Sequence, residues 1–480
     1  MSLTSDEESK VRAIIEAFDN GKRITDLPDV SGNNPFDFIS EVIDSTGESK
    51  KAILATMLPY VEEQCMYGIE YDVTVSSPDV TRIGNMDLHK SLPIHNRMRG
   101  CLLADDGTVN EYLSPTDWRG QTRDGSRGQV MVELPMYYRK FETDGNKRRV
   151  KLSEYPLPGY HQVKKKYVSA YEATVQRSTT KLCSVVNMDV DYRGGNNNSG
   201  WDGTYRTLLG MPATLLSRTN FRDYARKRKS STKEWNCMTY DIQKDIYWLF
   251  VVEFATRNSQ KAFNAALTAE GYKQGGLGDG VTTLDGGKWD TFNGYNPFIP
   301  CGHTDELGNG TGEVEFSMPT EYDSNIKTVK VPRYRGIENP FGHIWQWTDG
   351  INVRISPNSP TGDGLSKVFV TDNPEYFNDS NYDNMSHVGN ESRETSKYVK
   401  SVIFGDGGEI IPDVVGGSSS TYFCDNHYTS IPASGVSLRG VLFGGYASHG
   451  AIAGLVCADS TIAPSYSYAN IGSRLCFIPE

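Results

Sequence analysis

The stretch "NPFGHIWQWTDG", residues 339–350, decides how the chain is read. Side chains alternate along a strand, so His343, Trp345 and Trp347 share one face while Ile344, Gln346 and Thr348 share the other. Two neighbouring indoles bury a large apolar area and each N–H needs an acceptor. The spacing therefore predicts a core strand that stops in a turn at Asp349-Gly350, rather than a catalytic wall.

Upstream, "DIQKDIYWLFVVEFATRN" predicts a helix over residues 241–258. Its apolar residues cover so much of the circumference that it should be largely buried, with Glu253 and Arg257 needing partners or water. From Gly68 to this helix the chain alternates in short runs such as "GQVMVELPMYYRKFE" and "YVSAYEATV", which read as strands between turns. Beyond the helix, strand-like pieces are joined by long Gly, Asn, Asp and Ser loops with no clear long helix. At the other end, residues 5–18 have helical periodicity and a Ser5–Glu8 capping box, and residues 37–61 read as a short strand, a turn and a helix ending before Pro59. About 65 residues in such small elements bury little surface alone, so this segment is expected to pack on a partner or on copies of itself.

The chain has 480 residues, a net charge of -11, 47 Gly and 27 Tyr, which suits a loop-rich, mildly acidic protein of two or three domains. Basic runs at Arg226–Lys229 and Lys147–Arg149 lack a sustained basic face and read as solvated surface, which argues against nucleic-acid binding. The opening "MSLTSDEESK" is acidic where a secretory signal is basic and then apolar, and no segment reaches the roughly 18 apolar residues of a membrane span. A soluble protein made in the cytosol, with no membrane insertion, is expected. Eight cysteines stand singly and are expected to be reduced and buried.

Motifs for chemistry mostly fail. The segment from Asp189 begins like a calcium loop but has Gly200 at the twelfth position, where a bidentate Glu is required; a looser oxygen site there competes with ordinary turn formation. Cys301 and His303 form a lone CxH without a second ligand pair. "GGLGDGVTTLDGG", residues 275–287, lacks the Lys-Ser/Thr of a phosphate loop and reads as a flexible loop not followed by a helix. His343 and His449 read as structural or surface residues. No cofactor and no catalytic residue is assigned.

Four segments occurring in one order carry a resemblance. "MTYDIQKDIYWLFVVEFATRNSQ", "NPFGHIWQWTDG", "SLRGVLFGG" and "NIGSRLCF" resemble the helix, the Asn-Val-Trp-Glu-Trp strand, the Arg-Gly-Gly segment and the closing Gly-Phe-Arg-Cys strand of formylglycine-generating-enzyme-like domains. The resemblance spans roughly residues 128–480 and implies an α+β, C-type lectin-like fold with long ligand-facing loops. The same fold is used by variable proteins of diversity-generating retroelements, including phage tropism determinants, whose hypervariable segment lies at the extreme C-terminus. Residues 438–480 look like that arrangement, with Arg439, Gly440, Gly444, Gly445, Pro464, Asn470, Gly472 and Arg474 as frame. "DLPDVSG" and "IDSTGESKKAILATMLP" also resemble attachment modules of gut-phage tail proteins.

The resemblance implies an attachment or oligomerisation module over residues 1–65, a β-rich intermediate domain over 66–127, and a ligand-binding domain over 128–480. It implies a receptor-binding protein of the virion, on a phage tail or related display structure, that meets a host cell-surface glycan or protein and contacts other tail proteins through residues 1–65. A homotrimer is expected by analogy with tail fibres. The expected ligand-facing residues are Phe443, Tyr446, Ser448, His449, Ile452, Asp459, Thr461, Tyr466 and Tyr468, since Tyr and small polar groups give adaptable contact. Each competes with a core or turn role, Phe443 and Ile452 most of all. Trp345, Trp347, Arg439 and Arg474 would hold the platform. One alternative is a structural decoration protein whose lectin-like domain touches only neighbouring subunits. Another is an oxidase of the formylglycine type, but the family's copper-holding cysteine pair has no counterpart in "VLFGGYASHGAIAGL".

Overall fold

Helix Tyr240–Phe254 organises the core of this computed structural model, which describes residues 59 and 61–479 apart from 204–205, 282–283 and 320–326. The Thr239 side chain caps its first turn by accepting from the Ile242 N–H, and Ala255 closes it in the left-handed conformation. Every residue of the helix except Asp241 is buried, as its all-round apolar pattern requires. The polar minority is paired. Glu253 binds the Arg335 guanidinium at 2.7 Å, Asp245 binds Lys166 at 2.7 Å and Lys244 binds Glu409 at 3.2 Å. Just beyond, Arg257 lies over the rings of Tyr71 and Phe423 and donates to the Ser77 carbonyl, while its Nε and Nη1 find no acceptor among the described residues.

The helix packs against strand Trp345–Ile355, the centre of a sheet whose order is Ser386–Asn390, Ser366–Val370, Trp345–Ile355, Ser437–Gly444, Gly454–Ser460, Asn426–Thr429, Lys397–Phe404, Glu409–Val415. Most pairs are antiparallel, but Asn426–Thr429 runs parallel to Gly454–Ser460, and Ile471–Gly472 runs parallel to the start of the tryptophan strand. Both tryptophans are buried, Trp345 at 4% and Trp347 at 0% exposure. The expected turn at Asp349-Gly350 does not end the strand. A register shift between Thr348 and Val353 absorbs the irregularity, and Gly350 takes φ +75 where a Cβ would lie 2.6 Å from the Thr371 carbonyl oxygen. The Trp347 N–H has no acceptor among the described residues, against expectation.

A second sheet has the order Trp235–Cys237, Leu475–Phe477, Lys166–Ser169, Gln129–Leu134, Arg99–Leu103, Val109–Tyr112, and a third pairs Met66–Asp72 with Lys147–Ser153. The boundary expected between residues 127 and 128 therefore falls inside hydrogen-bonded sheets: Arg99–Leu103 pairs with Gln129–Leu134 from Arg99↔Glu133 to Leu103↔Gln129. Short strands cannot satisfy their backbone alone, and here the partners come from both sides of that boundary.

Three local expectations need correction. The loop over residues 275–287 does lead into a helix, Gly286–Asn293, capped by the Asp285 side chain on the Lys288 N–H. The run Arg226–Lys229 is not simply solvated: it ends helix Arg218–Arg226, and Arg228 is 9% exposed and bound to Asp105. Pro59 and residues 61–65 are helical, past the position where a helix was expected to end. The expected helix over 5–18 and almost all of the 37–61 piece, with the rest of the attachment module, lie outside the described residues. All eight cysteines are buried. Among the described residues, no helix is long and apolar enough to cross a membrane.

Candidate functional site: an aromatic cavity at the C-terminal end of the chain

Strand Ser437–Gly444 lies against the tryptophan strand with Gln346↔Phe443 and Trp347↔Leu442 in register. This approach needs a bare backbone at Gly440, where a Cβ would sit 2.6 Å from the Trp347 ring. Gly444 and Gly445 take φ +101 and +78, turning the chain away from the sheet. The turn carries Tyr446 and His449 back over Trp345. Strand Gly454–Ser460 then returns Asp459 opposite Tyr428 of the parallel strand. Finally the 464–470 loop, held where Pro464 accepts from the Arg218 N–H and Asn470 accepts from the Trp345 N–H, brings in Tyr466 and Tyr468.

The result is an open cavity of about 300 Å³ lined by Trp345, Tyr428, Tyr446, His449, Asp459 and the Tyr466–Tyr468 pair, with Leu442, Ile462, Asn470 and Ile471 completing it. Trp345 and Tyr428 stand nearly perpendicular with centroids 6.3 Å apart, and Trp345 and Tyr446 are 6.3 Å apart at 36°. His449 packs among them, 5.2 Å from Trp345 and 4.0 Å from Tyr446. Burial pushes its imidazole down to about 3, so it is neutral at physiological pH, and its Nδ1 has no partner among the described residues. Burial raises the Asp459 carboxyl, although the Thr461 N–H donates to its Oδ1 at 2.7 Å. Tyr466 and Tyr468 stack 6.4 Å apart and are 45% and 41% exposed.

Of the nine residues expected to face a ligand, Tyr446, His449, Asp459, Tyr466 and Tyr468 come together here. Ser448, Ile452 and Thr461 are half-buried beside the cavity and do not line it. Phe443 is corrected outright. It is 1% exposed and stacks on Tyr240 at 6.0 Å, because its place in the strand register points it at the central helix. Tyr428 was missed, since nothing in its local sequence predicts a parallel strand pairing. Trp345, expected only as frame, also forms cavity wall. The frame role of Arg474 takes the form of donation to Gln346 Oε1 and to the Ser169, Glu338 and Asn339 carbonyls. Helix Gly286–Asn293 and the turn that follows it support the cavity, through Trp289 against Tyr446 at 5.8 Å and Tyr295 against Tyr468 at 6.0 Å.

Other places are less suited to recognition. A larger cavity of about 710 Å³ is lined largely by groups already in ion pairs, Arg139, Lys166, Lys233 and Lys244 binding Asp245, Asp241, Glu375 and Glu409, while Lys164, Asp372 and Asp406 also line it. His343, Glu172 and Asn339 form a buried hydrogen-bonded group with His343 Nδ1 3.1 Å from Glu172, and Cys301, whose thiol burial holds well up, donates to the Glu172 carbonyl. The CxH is split, since His303 turns to the Glu315 carbonyl. In the former calcium candidate, Asp189 and Asn198 cap short helices and Asp202 binds Arg193. Among the described residues, no group of three acidic, His or Cys side chains could hold a metal.

This geometry defines a class: a strand-rich protein with few helices whose chain end closes an aromatic cavity over a rigid tryptophan strand. No family model matches the chain, and no curated protein matches it. Among solved structures it is similar to PvdO from Pseudomonas aeruginosa, at 12% identity and a TM-score of 0.33, over 75% of this chain and 98% of that one. It is also similar to the Major Tropism Determinant U1 variant, at 11% identity and TM-score 0.20 over 72% of each chain, and to the P3c variant, at 12% and 0.19 over 72% of each. Likenesses at these scores carry no argument about fold or activity.

Proposed function

We propose that the chain is a non-catalytic receptor-binding protein of a phage tail or a related surface-display structure, with a C-type lectin-like domain that meets a host surface molecule at the C-terminal cavity. The observation that carries the reading is the convergence of Tyr446, His449, Asp459, Tyr466 and Tyr468 on one open cavity. Beneath them lies a buried frame in which Trp347, Gly440 and Arg474 fix the backbone, and the two most exposed of the five, Tyr466 and Tyr468, lie at its surface. Exchange of the exposed residues would alter recognition while leaving the fold intact.

The test is binding of the labelled full chain to a panel of bacterial strains. Binding to a subset of strains, lost in the Tyr466→Ser/Tyr468→Ser double variant at a melting temperature close to the parent's, is expected. A double variant that binds as the parent does would remove the cavity from the reading. Single sites of this kind bind weakly, so a homotrimer joined through residues 1–65 would supply avidity. Light scattering should then return three times 53.3 kDa at micromolar concentration, and a stable monomer would refute the trimer.

A further inference from the structure

We infer that the aromatic cavity binds a quaternary or methylated ammonium group, of the kind choline carries; this deepens the receptor-binding reading by naming the chemistry of the ligand. Four features point there. First, the lining is mostly aromatic: Trp345, Tyr428 and Tyr446 pack around His449, which stacks on Tyr428 at 5.3 Å, and the Tyr466–Tyr468 pair is the most exposed part. Aromatic ring faces present negative potential, which attracts a poorly hydrated cation. Second, among the described residues Asp459 is the sole carboxylate lining the cavity, and no Lys or Arg lines it. Third, the Asp459 carboxylate takes hydrogen bonds from Thr461, its N–H donating to Oδ1 at 2.7 Å, and among the described residues no Lys or Arg forms an ion pair with it. Fourth, His449 stays neutral at physiological pH and so does not repel the guest. Arg439 is the charged group that acts on Asp459 from outside; it does not line the cavity and forms no ion pair among the described residues. The volume of about 300 Å³ admits a trimethylammonium group with its attached chain.

A primary ammonium is held by hydrogen bonds. A methylated one has lost those donors and spreads its charge over methyl surface, so rings and a single carboxylate suffice. The group is expected on a surface-borne polymer rather than on a lipid bilayer, since the rim is formed by Tyr466 and Tyr468 and a single exposed leucine beside them, Leu215, is too little aliphatic surface to anchor in a bilayer.

The test titrates the full chain with choline, following Trp fluorescence and calorimetric heat, against 3,3-dimethylbutan-1-ol, its uncharged isostere. Choline is expected to bind saturably in the millimolar range and the alcohol about tenfold more weakly or worse, the difference being the charge. Asp459→Asn keeps the Oδ1 acceptor for Thr461 and should weaken choline about tenfold while leaving the alcohol unchanged and the melting temperature close to the parent's. Equal binding of the two probes, a neutral sugar that competes and is indifferent to Asp459→Asn, or no saturable choline signal up to about 100 mM would each overturn the inference. A phosphocholine-conjugated carrier should bind and phosphatidylcholine vesicles should not. Vesicle binding without free-choline binding would overturn it too. Choline binding with no attachment to any cell would leave the cavity chemistry standing and refute only the receptor role.

Discussion

Glu391 sits directly behind the cavity wall and supplies a test of the packing there. Its carboxyl is 4% exposed and accepts from the hydroxyls of Thr429 and Ser460, each at 2.8 Å, one residue along from the Tyr428↔Asp459 pair. Burial is the main cause that raises it from an ordinary 4.5 to about 8; those two hydroxyls and Arg393 oppose the rise and Asp459 adds to it. The sign follows. A carboxyl raised in the folded state binds its proton there more tightly than in the unfolded chain, so its contribution is intact below about 4.5. It is lost progressively as pH rises and is fully lost above about 8. At about 1.4 kcal/mol per pH unit, the loss between pH 5 and pH 9 is about 4 kcal/mol. Glu391→Gln removes the titration while keeping an acceptor for both hydroxyls. In urea unfolding the variant should match or trail the parent at pH 5 and exceed it by at least about 2 kcal/mol at pH 9, allowing for relaxation of the site. Stability curves of parent and variant that run parallel from pH 5 to 9 would refute the reasoning.

Gly440→Ala places a methyl 2.6 Å from the Trp347 ring and should cost about 1–3 kcal/mol in denaturant unfolding while blunting choline binding. Arg335→Met strands the Glu253 carboxylate, 1% exposed, and should destabilise by about 3–5 kcal/mol; adding Glu253→Gln should recover most of that. Since every cysteine is buried, a thiol reagent should label the native protein slowly and all eight thiols promptly in guanidinium.

The central helix was legible because its signal is local. A run that is apolar on every side, started by Thr239, has no stable place except a core, and the structure puts its ends within a few residues of those expected. The tryptophan strand was legible for the same reason, but its continuation past Gly350 was not, because Asp-Gly favours a turn until neighbouring strands impose a bulge. The helix after residue 285 was missed because eight residues beginning Gly-Gly have little helical preference of their own. What secures it is Trp289, buried against Tyr295 and Tyr446, a contact across more than 150 positions of sequence for the latter.

The cavity shows the same division. Tyr446, His449, Asp459, Tyr466 and Tyr468 could be singled out because they interrupt a framework of glycines and apolar residues within one short segment. Phe443 belongs to that segment as well, and only strand register separates it from the others: it faces Tyr240 across the core. A slip of one residue would exchange the two faces. Register here is held by distant residues: Trp347 requires Gly440, and Arg474 ties the closing strand to the Glu338 and Asn339 carbonyls that precede the tryptophan strand. Tyr428 enters through a parallel pairing that its own neighbours do not announce. The cavity owes its geometry to such distant residues as much as to its own lining, and for that reason the choice of which side chains it exposes cannot be read from the segment that carries them.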